Sequence, residues 1–195
     1  MKPGWMRFWL CASVLALAVS PDNSGQKPKK GGRGANELSL SAIQPGRDKL
    51  AGVEKNLGEH LHALPTDSSN ARSWVETCTG RRLTLEVDKA GVIQTVYISM
   101  PKIAPTDKCK DSKDAQTAQF WTTGQGLHLD EKIERVIGIY GQPNSSGPSV
   151  MQGRELELLF YMFDWAGSEV PQVLEISCEK STGRVVEIML AFPSL

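Results

Sequence analysis

One stretch constrains this chain more than any other: residues 127–143, LHLDEKIERVIGIYGQP. Ile133, Val136 and Tyr140 recur at spacings of three and four, the period of a single helical face. Asp130 stands where an N-cap belongs, Glu131 adds negative charge to the first turn, and Glu131 with Arg135 forms an i,i+4 pair. Gly141 supplies a left-handed stop, and Pro143 keeps the helix from continuing. The same plan occurs over residues 45–59, PGRDKLAGVEKNLGE, where Leu50, Val53 and Leu57 share a face between Gly46 and Gly58. Leu61 and Leu64 extend that stripe, which predicts a further helical turn over residues 59–64, ended by Pro65.

Each helical segment leads into turn-rich β sequence. After the first come candidate strands at 72–78, 83–88 and 92–100, separated by Thr79-Gly80 and Lys89-Ala90-Gly91. Leu83, Leu85 and Val87 alternate with Thr84, Glu86 and Asp88, so one sheet face is covered and the other wet. After the second helix, residues 144–153 read as a long flexible excursion, followed by strands at 155–165, 172–179 and 184–192. Asp48-Lys49-Leu50, Val53, Leu57 and Gly58 match Glu131-Lys132-Ile133, Val136, Tyr140 and Gly141. Leu83, Leu85 and Val87 match Leu174, Ile176 and Cys178. These matches predict an α+β protein of two tandem repeats, over residues 41–100 and 123–195, each with short helices packed on a three- to four-stranded antiparallel sheet. Residues 101–122 form a polar connection, with 115–122 as a short helix. Each unit has a small core, a physical reason for the two to pack together.

The N-terminus reads differently. Lys2 and Arg7 precede a nearly unbroken apolar run from Phe8 to Val19, and Ala16-Leu17-Ala18 has the small-x-small pattern of a cleavage site. Residues 1–18 are therefore expected to be a secretory signal peptide, being too short an apolar run to span a bilayer. Residues 19–40 are rich in Gly, Lys and Pro with almost nothing to bury, which predicts a flexible basic tether. Lys27, Lys29, Lys30 and Arg33 give it weak attraction for a membrane or cell wall. The whole chain balances 22 basic against 22 acidic residues, but six of the basic and two of the acidic ones precede Ser41. The body is thus mildly acidic and shows no basic patch for nucleic acid.

The helix start after a leading apolar residue, followed by Leu-Gly or Tyr-Gly-x-Pro and a three-stranded meander, resembles the small envelope modules of the SmpA/OmlA (BamE) class. The residues that carry the likeness are Ile43, Pro45-Gly46, Val53 and Leu57-Gly58 in the first segment, and Leu127, Val136, Tyr140-Gly141 and Pro143 in the second. The pairing of two such units is similar in fold to the β-lactamase inhibitory proteins. The resemblance implies a protein-binding or scaffolding role in the cell envelope and no activity. It departs from the assembly class at Cys11, which lies inside the apolar run rather than at a lipidation site.

Residues suited to catalysis are sparse. His60 and His62 flank Leu61, and His128 stands alone, so no metal site or cofactor is expected. Phosphate-loop, nucleophile-elbow and HExxH patterns are missing from the sequence. Glu155, Glu157 and Asp164 read as solvated strand-face acids. Of the cysteines after the leader, Cys178 occupies an inward strand position. Cys78 and Cys109 are the expected disulfide, at about 2–4 kcal/mol, with Cys109–Cys178 as the rival. The strand bearing Phe160, Tyr161, Met162, Phe163 and Trp165 is strongly aromatic. One of its faces is core, and Tyr161, Phe163 and Trp165 are the candidate binding platform. The expectation is an exported, periplasmic or extracellular, non-catalytic module for an envelope or secreted protein partner, with a small-ligand or glycan binder using the aromatic face as the alternative.

Overall fold

A computed structural model describes residues 36–66, 68–101, 117–164 and 171–192. Its elements are helix α1 (Leu50–His60), strands β1 (His62–Leu64), β2 (Ala71–Val75), β3 (Arg82–Val87) and β4 (Ile93–Ser99), a 3-10 turn at Ala118–Trp121, helix α2 (Ile133–Tyr140), and strands β5 (Ser145–Met151), β6 (Arg154–Phe163), β7 (Gln172–Glu179) and β8 (Arg184–Ala191). The expected leader and most of the expected tether lie outside these residues.

All eight strands belong to one antiparallel sheet, in the order β1-β2-β3-β4-β8-β7-β6-β5. This corrects the expected fold. The described residues do not form two helix-on-sheet repeats but one continuous eight-stranded sheet, and two short α-helices accompany it among those residues. The reason lies at the middle of the sheet, where β4 and β8 pair directly from Thr95↔Ala191 to Ser99↔Glu187. A strand edge left open exposes a row of unpaired backbone groups. Joining these two edges satisfies both rows and lets one core run through Leu85, Val96, Ile98, Ile188, Leu190 and Leu174, all fully buried.

The helices begin against the sheet. The first helical N–H of α1, at Leu50, donates to Gly91 O (3.0 Å), and that of α2, at Ile133, donates to Gly183 O (2.9 Å). Hairpin carbonyls therefore cap donors that a helix leaves orphaned. Asp130 is not the N-cap expected for α2. Lys132 holds that position without a side-chain cap, while Asp130 sits at φ +75° and pairs with Arg184 at 3.1 Å. The predicted Glu131–Arg135 pair forms at 3.9 Å. Helix α1 buries only Leu57 fully, with Leu50 and Val53 packed at the core margin.

Two further expectations are corrected. Residues 62–64 are strand rather than helix, because Leu61 turns extended (φ −125°, ψ 151°) after its N–H closes on Leu57 O at 2.8 Å. Residues 144–153 are not an open excursion: Ser145–Met151 forms the edge strand β5, joined to β6 by a two-residue turn with Gln152 at φ +50° and Gly153 at φ +70°. Gly46 meets a strict demand, at φ +76° with Phe192 placed so that an added Cβ would stand 2.4 Å from ring carbon Cδ1.

The end of the expected tether is in fact part of the fold. Glu37 and Leu40 are fully buried. Glu37 Oε1 accepts the backbone N–H groups of Leu38 (2.9 Å), Ser39 (3.0 Å) and Gly124 (3.0 Å). Its Oε2 accepts Gln125 N–H (3.0 Å) and the Tyr140 hydroxyl (2.6 Å). Tyr140 Oη lies 2.8 Å from Thr123 Oγ1, which in turn accepts Leu127 N–H at 3.1 Å. A carboxylate surrounded by five donors replaces its lost water shell with protein groups, which makes its complete burial tolerable.

Candidate interaction surface

Register assigns the side chains to two faces. Leu159, Tyr161 and Phe163 on β6 lie in line with Ile176, Leu174 and Gln172 on β7, and the first two rows continue into Ile188 and Leu190 on β8. These residues are buried on the side that carries the helices. The opposite face runs through Ser73, Thr84, Tyr97, Met189, Glu175 and Phe160, one per strand from β2 to β6. A neighbouring row holds Thr95, Ala191, Val173 and Met162. Met162 is 49% exposed and the rest are half-buried. No described helix packs on this face.

The aromatic expectation is corrected here. Tyr161 and Phe163 lie in the core, 2% and 7% exposed, with ring centroids 6.5 Å apart. Tyr140 from α2 sits 5.6 Å from Tyr161 and 6.3 Å from Phe163. The Tyr161 hydroxyl donates to Gly141 O at 3.1 Å, and burial pushes its pKa up to about 12. Alternation on a strand sets two opposite faces, and α2 covers the one bearing these rings; Phe160 and Met162 therefore face outward. Trp165 lies outside the described residues.

The open face is strongly curled at one end. Four strand spacings separate β4 from β5, about 19 Å in a flat sheet. Yet Tyr97 on β4 donates to Met151 Sδ on β5 at 3.5 Å. Arg154 on β6 bonds Glu179 on β7 (3.2 Å) and also Met100 O beyond β4 (3.2 Å). Leu156 and Val186 are buried outside the main core, as the interior of a curl requires. Glu187 is held in this region, accepting from Ser177 Oγ at 3.4 Å. Burial raises its pKa, and Glu175 adds to the rise; Tyr97, Ser177 and Arg154 act against it. Burial and the same carboxylate push the Tyr97 hydroxyl up as well.

The other expected residues are separated. His60, His62 and His128 are exposed; His60 packs 5.7 Å from Phe120, and His128 Nδ1 lies 2.7 Å from Thr122 Oγ1. No group of metal-ligating side chains converges among the described residues. Cys78 is disulfide-bonded and Cys178 is a free, buried thiol, which removes the rival Cys109–Cys178 bridge. Cys109 lies outside the described residues. Burial, with Glu157 and Glu134 nearby, pushes the Cys178 thiol up to about 12, far from a nucleophile's range. No described helix is long and apolar enough to cross a membrane.

Sequence inspection missed Glu37, Tyr97 and Glu187. Glu37 stands in a polar, glycine-rich context, and the other two occupy ordinary outward strand positions; only their burial marks them out. The described residues define a class: a single antiparallel sheet with helices on one side and a curled, partly exposed face on the other. No protein-family model matches the chain, and no curated protein matches it. Among solved structures, it is similar to the crystal structure of a DUF4309 family protein from Bacillus subtilis, at 10% identity and TM-score 0.45, over 80% of this chain and 88% of that one.

Proposed function

We propose that this chain is an exported, non-catalytic protein-binding module whose interface is the open face of the sheet. The observation that carries the reading is the apolar stretch of that face, where Phe160, Met162, Val173, Met189 and Ala191 surround Glu175 without a described layer over them. Contiguous apolar surface on a folded protein marks a place where something docks. Long, adaptable methionines beside an aromatic ring suit a protein partner. Export is supported by the apolar run from Phe8 to Val19 and by a disulfide at Cys78, a bond that persists in oxidising compartments. Cys109 is the partner we assign to Cys78, and mapping of the disulfide by proteolysis and mass spectrometry checks it.

In this reading residues 1–18 direct export, and the basic segment that follows provides weak contact with a membrane or cell wall. An envelope or secreted protein is the expected partner. The test is affinity capture from the host's envelope extract with the wild-type chain and with Phe160→Glu and Met162→Glu. One stoichiometric protein retained by the wild type and lost by both variants is the expected result. Capture that both variants keep, or no captured protein, overturns the assignment of the face.

A further inference from the structure

The segment from Asn36 to Ser41 is a strap whose tertiary hydrogen bonds all go to a distant part of the chain. Gln125 Nε2 donates to Asn36 O (3.1 Å), Gly124 N–H to Ser39 O (2.9 Å), and Ser41 N–H to Thr122 O (3.0 Å). The Ser41 hydroxyl donates to Phe120 O at 2.6 Å, and Glu37 adds its bonds to Gly124, Gln125 and Tyr140. Leu40 is completely buried there and forms a bridge to Thr123. Only a tight turn connects the strap to the body. Leu40 and Ile43 exchange two backbone bonds of 3.0 Å around Ser41 and Ala42. Those two residues have φ of +59° and +60°, left-handed backbone carried by side chains that disfavour it. Beyond the turn the chain is fastened again, with Ile43 buried and Gly46 N–H donating to Ile93 O at 2.7 Å.

We propose that this strap is an exchangeable element and that the partner it fits is a second copy of this chain. If the turn at Ser41–Ala42 opens, the strap of one copy enters the groove of another and remakes every contact with residues 120–125 and Tyr140. The two states share that interface and differ chiefly at the hinge. The closed hinge keeps two short turn bonds at the cost of two left-handed residues; the open hinge gives up the bonds and relaxes the backbone. Short hinge loops under strain favour this kind of exchange. The Glu37 cluster makes exchange slow, because the three hydrogen bonds that carboxylate accepts from Gly124, Gln125 and Tyr140 must break before the strap leaves.

The experiment uses the full chain, unfolded and refolded at low and at high concentration. Chains carrying Asn36→Cys are mixed with chains carrying Gln125→Cys and treated with a short bis-maleimide, both positions being exposed and adjacent in the folded chain. A covalent cross-chain product that increases with concentration is expected, while a chain carrying both cysteines reports that the pair is in reach. Ala42→Gly relieves the left-handed strain at one of the two turn residues and lowers exchange about tenfold per hinge, hence roughly a hundredfold in the dimerisation constant. Ala42→Pro cannot adopt the closed turn and raises the dimer fraction. A missing cross-chain product at high concentration, with the double-cysteine chain cross-linking internally, overturns the proposal. A dimer indifferent to Ala42→Gly overturns it too, and that variant remains informative if the proline chain fails to fold.

Discussion

Replacing Glu37 by Gln changes almost no volume and exchanges a completely buried carboxyl group for an amide. Oε1 faces three backbone N–H groups, so the amide oxygen of Gln takes that place and the NH2 group replaces Oε2. The Tyr140 hydroxyl can rotate, donate to Thr123 Oγ1 and accept from the new amide. Gln125 N–H cannot rotate, and it is left facing another donor. One stranded donor costs about 1–3 kcal/mol, and the retained bonds lose the charge assistance that made them strong. The sum is about 3 kcal/mol, or roughly 6–12 °C in Tm for a chain of this size. Urea unfolding at pH 7 measures it. Tyr140→Phe removes one donor and costs about 1–2 kcal/mol, and the double variant is expected to fall short of the sum because the two side chains share a bond. A loss below about 0.5 kcal/mol for Glu37→Gln, the range of an ordinary surface substitution, would refute the view that this carboxylate organises the strap.

Further outcomes follow from the same geometry. Glu187 has a raised pKa in the fold, so the protonated form is the better fit: that contribution is complete below the unfolded carboxylate range and is lost as pH rises through the folded value. Glu187→Gln is therefore expected to stabilise the protein at pH 7, with the gain vanishing below about pH 4 in a series of urea melts. Gly46→Ala places a Cβ against the Phe192 ring and strains a backbone at φ +76°; a loss of about 2–4 kcal/mol by denaturation is expected. Cys178 should resist a thiol-reactive dye at pH 8 until the protein unfolds, and rapid labelling of the native chain would contradict its burial. Pro148 stands at an alternate position of the edge strand from Met151 and Arg154, which close the β5–β6 turn, so its missing N–H falls on the free edge. Pro148→Thr restores that donor and is expected to increase self-association on light scattering.

Much of the local structure was legible in sequence because it is written in local periods. The alternation of Leu83, Leu85 and Val87 identified β3, the span 172–179 coincides with β7, and the three-and-four spacing of Ile133, Val136 and Tyr140 identified α2. Strand β5 escaped because Ser145–Met151 includes Gly147 and Pro148, and its extended form comes from pairing with β6 rather than from propensity. The helix start moved from Asp130 to Lys132 because Gly183 O reaches the first turn, a contact fifty residues away in sequence.

The candidate surface depended still more on distant contacts. Alternation alone determined that Tyr161 and Phe163 share one face and Phe160 and Met162 the other. Which face is core was decided by α2, whose Val136 and Tyr140 are buried on the side of Tyr161. Likewise, amphipathic strands determined that sheets would form, but edge pairing of β4 with β8 decided that there is one sheet rather than two. Side-chain period is a property of neighbouring residues, whereas the partner of an edge and the desolvation of a carboxylate such as Glu37 depend on residues brought together only by folding.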